Sequence, residues 1–202
     1  MRTVLTVGIA IALLVAALSC WGEAARVVEL RAGLASGELW AKLHGAGDSQ
    51  VAGVIGRTGT EPIIAQLNPG TQYQAQLGGR QGQLGLGALS VDLTTTAVAQ
   101  VVIPTACTNL GLPEPTPKDV MMPVACPDAH LVRLASLPQT QTAPHAAAQL
   151  AVWAITDNPR ASGVRGYLRE MAAAGTPDEL AGTARQLLAA CGLDPRGFRM
   201  FR

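Results

Sequence analysis

The stretch "PIIAQLNPGTQYQAQL", residues 62–77, carries two short apolar runs divided by a turn, and its reading decides the fold class. In the second run Gln72, Gln74 and Gln76 alternate with Tyr73, Ala75 and Leu77. One face is polar and the other apolar, which is the pattern of a half-buried strand. Between the runs stands Asn68-Pro69-Gly70. Proline pre-sets the first central residue of a type II turn, and glycine takes the positive φ of the second. Further runs of the same kind lie on either side: "ELWAKLHG", "QVAGVIG", "LGLGALSVDL" and "AVAQVVI". Short strands at this spacing predict an antiparallel β-sandwich-like half over residues 25–105, or a small barrel, with bulges and uneven edges where glycines weaken the strands.

Beyond Cys126 the period becomes helical. In "TPDELAGTARQLLAACG", Thr176 is placed as N-cap, Pro177 as the first helical residue, and Glu179 closes a capping box. Leu180, Ala184, Leu187 and Cys191 share one face, and Gly192 ends the helix. A second helix is expected after Asn158-Pro159, with Val164, Tyr167, Leu168 and Met171 on its apolar stripe. A third covers roughly His145 to Thr156, and "PDAHLVRLASL" supplies a short fourth. The whole is an α+β chain with a small helical C-terminal part over residues 143–202. Residues 106–142 read as a proline-rich linker holding one short helix, with Pro138 to Thr142 as open chain.

The first residues point to export. Met1-Arg2-Thr3 gives a positive start, and Val4 to Ser19 is an unbroken apolar run. That run is shorter than the ~20 residues a membrane-spanning helix needs, and it fits the core of a secretory signal over residues 1–24. Cleavage after Ala24 would start the mature chain at Ala25. Ser19-Cys20 offers a rival, because a cysteine after a small residue is where lipoprotein signals attach lipid, although Ala17 and Leu18 depart from that pattern. The expected location is secreted, periplasmic or cell-envelope, with no membrane span after cleavage and a lipid anchor at Cys20 as the open alternative. Of fifteen basic residues only Lys42 and Lys118 are lysines, a bias that fits a GC-rich bacterial genome. The net charge is +1 with no basic run, which argues against nucleic acid or an anionic membrane surface as main partner. Only 3% of residues are aromatic, too few for a sugar-binding or base-stacking face.

Three cysteines belong to the mature chain: Cys107, Cys126 and Cys191. In "ACTNLGLPEPTPKDVMMPVAC", residues 106–126, Cys107 and Cys126 bracket four prolines. A zinc site needs about four ligands in close pairs, and here there is no CxxC, while His44, His130 and His145 are scattered. A catalytic thiol needs a histidine base, and only His130 lies near Cys126 in the chain. A Cys107–Cys126 disulfide suits an exported protein and would strap the linker, with a stabilisation of ~3 kcal/mol in the chain-entropy model. Cys191 reads as an inert thiol on the buried face of its helix, or as an alternative partner for Cys107 that would staple the two halves.

"HGAGDSQ" contains Gly47-Asp48-Ser49, which resembles the opening block of the GDSL esterases. Those enzymes need a late Asp-x-x-His, and Asp128-Ala129-His130 has the wrong spacing. The stretch reads instead as a polar turn between two strands. There is no G-x-S-x-G, no P-loop and no H-E-x-x-H, so no cofactor or metal is expected. Finally, "ACTNLGLPEP" followed by "AAQLAVWAITDN" resembles a scattered group of uncharacterised exported bacterial proteins. Those share a Cys-x-Asn-x-Gly-x-Pro-like segment and a later Gln/Ala/Trp helix. The matching positions are Cys107, Asn109, Gly111 and Pro113, then Gln149, Ala151 and Trp153. The resemblance covers about the last hundred residues and brings no activity with it. The expectation is an exported, non-enzymatic envelope or extracellular binding module for an unknown protein or envelope component. The alternative is a secreted hydrolase with a Cys or Ser nucleophile and a His base.

Overall fold

The computed structural model describes residues 25–202. The signal segment 1–24 and Cys20 lie outside the described residues. The architecture is mixed α+β, with two sheets and six α-helices among the described residues. One sheet joins β1 (Arg26–Glu29), β4 (Ile63–Leu67) and β7 (Leu89–Leu93). The other has six strands in the order β2, β3, β8, β6, β5, β9. These are β2 (Leu39–Gly45), β3 (Gln50–Arg57), β5 (Gln72–Ala75), β6 (Gln83–Gly85), β8 (Val98–Cys107) and β9 (Met121–Val124). A bridge between His44 and Val120 links its two edges, so the sheet almost closes on itself.

The Asn68-Pro69-Gly70 turn forms as its residues predict. Gly70 has φ 80, and the Thr71 N–H reaches the Asn68 carbonyl at 3.3 Å. Its strands, however, do not pair: β4 belongs to the small sheet and β5 to the large one. The turn is a corner between sheets, and it packs so closely under a helix that a Cβ on Gly70 would sit 2.8 Å from the Val132 backbone. The expectation of purely antiparallel pairing fails at β1, which runs parallel to β4. The chain leaves β1 directly into an unforeseen helix, α1 (Leu30–Ser36), in which the Glu29 carboxylate accepts from the Ala32 N–H. Gly37, at φ 77, ends it. Leu39, Leu43, Val51, Ile55, Ile63 and Leu93 fill the core between the sheets.

The remaining helices are α2 (Ala129–Ser136), α3 (Pro138–Thr142), α4 (His145–Thr156), α5 (Ala161–Glu170) and α6 (Pro177–Ala190). The capping box at Thr176 and Glu179 is present, and Gly192 turns the chain at φ 80 after α6. Residues 106–142 do not form a free linker. β8 runs on through Cys107, β9 adds a strand, and Pro138–Thr142 is helical with Thr140 buried. The proline segment folds back onto the sheet: Gln81 donates from N–H and side chain to the carbonyls of Pro113 and Leu112. α4 is the centre of the second core. Every residue from Ala146 to Ala154 is buried, because the helix lies between β8 on one side and α6 on the other.

Candidate functional site

Cys107 is the last residue of β8, and its two edges meet different neighbours. On one side β6 pairs with it, Gln83 standing opposite. On the other side β3 has already ended: the last ladder bond is from the Thr105 N–H to the Ser49 carbonyl, at 2.9 Å. Two residues further on, the Cys107 N–H and C=O would face that side unpaired. The side chain of Gln149 fills the vacancy. Its Oε1 accepts from the Cys107 N–H at 2.7 Å, and its Nε2 donates to the Cys107 carbonyl at 2.6 Å. A carboxamide thus stands where a peptide unit of β3 would have been. Both residues are fully buried.

The sulfur has its own surroundings. Cys107 Sγ donates to the Asp48 carbonyl at 3.4 Å, and Gln83 Nε2 approaches it at 3.7 Å while also donating to the Gly47 carbonyl at 2.6 Å. Gly47-Asp48-Ser49 is therefore the turn between β2 and β3, folded over the thiol. Ser49 takes part in the ladder through its backbone carbonyl. Burial pushes the Cys107 thiol up to about 12, against the opposing pull of the Gln83 donor, with Asp48 and Glu114 adding to the rise. Burial also raises Tyr167, whose ionisation is further opposed by Asp48, Cys107 and Glu114. The Tyr167 ring meets Trp153 edge to face, with centroids 4.8 Å apart.

Of the residues carrying the exported-protein resemblance, Cys107 and Gln149 are thus brought into direct contact. Asn109 turns the chain out of β8 at φ 65, a left-handed conformation that asparagine tolerates better than most residues. Pro113 accepts from Gln81, and Trp153 packs on Tyr167. Gln83 escaped the sequence reading altogether. The signal was there, as a glutamine within an apolar run, but only the register with Cys107 gives it meaning.

The other expected pairings do not form. Cys107, Cys126 and Cys191 are all free thiols. The Cys107–Cys126 strap fails on topology. β8 and β9 are separated by β6 and β5, which is three strand spacings or about 14 Å across the sheet, while a disulfide needs Cα atoms within about 7 Å. Cys126 instead donates to the Asp128 carbonyl, and Cys191 caps α6 inside the helical core. The histidines serve no thiol among the described residues. His145 Nε2 lies 3.0 Å from the Thr105 carbonyl, His44 Nδ1 is buried without a partner, and His130 is exposed at the start of α2. No group of His, Cys, Asp or Glu suited to a metal occurs among the described residues. A cavity of about 320 Å³ between β6, β8, α3 and α4 is lined by Tyr73, Ile103, Thr140 and His145, but by neither Cys107 nor Gln149. The pair is sealed, not set at the floor of a cleft. Compared with known proteins, the chain matches no family model, no curated protein and no solved structure.

Proposed function

We propose that the chain is an exported, non-enzymatic binding module of the envelope or extracellular space, and that Cys107 and Gln149 make its binding covalent through an internal thioester. The observation that supports this is the double pairing of the Gln149 carboxamide on the backbone of a buried cysteine. A glutamine amide is a poor acyl donor in water. Here its carboxamide is held on the backbone of the one cysteine whose sulfur would attack it, and holding two reacting groups on one site lowers the entropic part of the barrier. Attack of Sγ on the Gln149 Cδ forms the S–C bond, and the C–N bond then breaks. The thiol proton leaves with the amide nitrogen as ammonia. Negative charge grows on Oε1 during attack, and the Cys107 N–H already points at that oxygen.

The product suits the site. A thioester is neutral and asks for no solvation, whereas a buried thiol with its ionisation pushed up is a reluctant thiolate. With both residues fully buried, water has poor access to hydrolyse the bond. An amine or hydroxyl on a partner that displaces the turn of residues 47–49 from the pair would attack Cδ, return the proton to the Cys107 sulfur, and leave the partner acylated through Gln149. The two-part reading gives this a division of labour: a sandwich-like β half presents the cysteine, and a helical half presents the glutamine. A secreted hydrolase using Cys107 would need an imidazole at the sulfur, and the described neighbours of Sγ are the Asp48 carbonyl and Gln83. Export rests on the Val4–Ser19 run, with a lipid anchor at Cys20 as one way to hold the module at the surface.

The test is intact mass. Mature protein should weigh one ammonia less than its sequence, methylamine should add its own mass with release of one thiol, and Cys107→Ala or Gln149→Ala should restore the full sequence mass. Wild-type protein at full mass, with the Cys107 thiol titrating on denaturation, would remove the covalent reading.

A further inference from the structure

Gln83 is wholly buried, and burying a carboxamide is unfavourable unless its polar atoms are met. Its Nε2 is met twice, by the Gly47 carbonyl and by the Cys107 sulfur. Its Oε1 has no partner among the described residues. A buried acceptor left open beside a nucleophilic atom calls for a chemical reason. The register supplies the location. Gln83 stands opposite Cys107 in the β6–β8 ladder, and residues directly opposite project to the same face. Thr105, two residues before Cys107 on the same face of β8, leaves its Oγ1 unpartnered as well. Gln83 Oε1 is the open oxygen next to the sulfur, carried on the same carboxamide whose Nε2 approaches Sγ at 3.7 Å.

Resting on the thioester reading, we propose that Gln83 is a catalytic residue whose free Oε1 receives an N–H of the attacking amine while its Nε2 keeps the Cys107 sulfur in place. An amine nitrogen attacking Cδ becomes positively charged and must shed a proton. A hydrogen-bond acceptor held next to the sulfur steadies that N–H until the proton passes to the departing thiolate, which restores the Cys107 S–H and leaves an amide on Gln149. The substrate class that follows is a primary amine. A thiolate nucleophile has no hydrogen to offer Oε1 and gains nothing from it.

The experiment compares two small nucleophiles, methylamine and β-mercaptoethanol, on intact mature protein whose mass has first confirmed the thioester. Gln83→Met, of similar shape but without polar hydrogen-bonding groups, should slow methylamine about tenfold or more relative to β-mercaptoethanol. Gln83→Glu, which keeps an acceptor, should retain the preference for the amine. Equal slowing of both nucleophiles, or none, overturns the role of Gln83. Loss of native near-ultraviolet dichroism in both variants makes Gln83 a structural residue and overturns it too. A wild-type protein lacking the thioester fails the underlying reading instead, before any Gln83 variant is made.

Discussion

Gly45 and Pro115 stand so close that a Cβ added at position 45 would lie 2.4 Å from the Cβ of the proline. The contact ties the end of β2 to the proline segment, helped by the Gly47 N–H donating to the Pro115 carbonyl at 3.3 Å and the Gly45 N–H to Asp119 at 3.1 Å. That segment backs the turn which covers the Cys107 sulfur. Gly45→Ala is expected to push Pro115 outward, at the ~1–3 kcal/mol usual for overpacking. Hydrogen exchange should then quicken at Gly45 and Gly47, and methylamine should reach the thioester faster. Unchanged exchange at both amides would show that the segment does not guard the turn.

Gln149 should matter to stability as well as chemistry. Gln149→Ala strands the Cys107 N–H and carbonyl in the core, at about 1–3 kcal/mol for each buried group left unpaired. Gln149→Glu should rescue nothing, because it turns a second oxygen toward the Cys107 carbonyl. The comparison belongs in a Cys107→Ala background, where no thioester forms and Gln149 keeps its Nε2: urea midpoints for both added substitutions should fall well below Cys107→Ala alone. A Cys107→Ala/Gln149→Glu protein as stable as Cys107→Ala would mean that the Nε2 bond contributes little.

In a Gln149→Ala background Cys107 stays a thiol, and its ionisation should be visible in stability against pH. The folded thiol is raised from 9.0 to about 12 by burial, so the fold favours the protonated form. A raised folded pKa gives a contribution complete below the unfolded value, so stability should be full below pH 9.0 and decline as pH climbs toward 12. Tyr73 and Tyr167 are also raised by burial and steepen the same limb. Adding Cys107→Ala should remove the cysteine share alone, so a double variant with the same alkaline slope would contradict the thiol's burial.

Local chemistry was legible in the sequence wherever one segment decides its own shape. The Thr176 capping box, the span of α4 and the Asn68-Pro69-Gly70 turn were all readable because neighbouring residues fix them. What could not be read is which strand meets which. The corner that sends β4 and β5 to different sheets, the parallel β1–β4 pair and the three-strand gap between Cys107 and Cys126 depend on long-range register. The same holds for the site. Cys107 and Gln149 each stood in a visible motif, yet their contact spans 42 positions and needs β3 to end before β8 does. Gln83 had no motif at all, only a register partner.

The thiols themselves give the last expectation. Native protein should label first at Cys126, which is half-buried, while Cys107 and Cys191 lie within the two cores. After unfolding without reductant, Cys126 and Cys191 should both react, since neither is bonded in the fold. On the thioester proposal Cys107 should stay silent even then, and appear only after methylamine or hydroxylamine cleaves Cδ from sulfur. A disulfide predicts a different pattern: one thiol on unfolding, two more after reduction, and no response to either amine. Peptide mapping of the alkylated protein separates the two outcomes directly. Recovery of Cys107 joined to the peptide of Gln149 would establish the thioester, and recovery of Cys107 joined to Cys126 would return the protein to a strapped, non-covalent module.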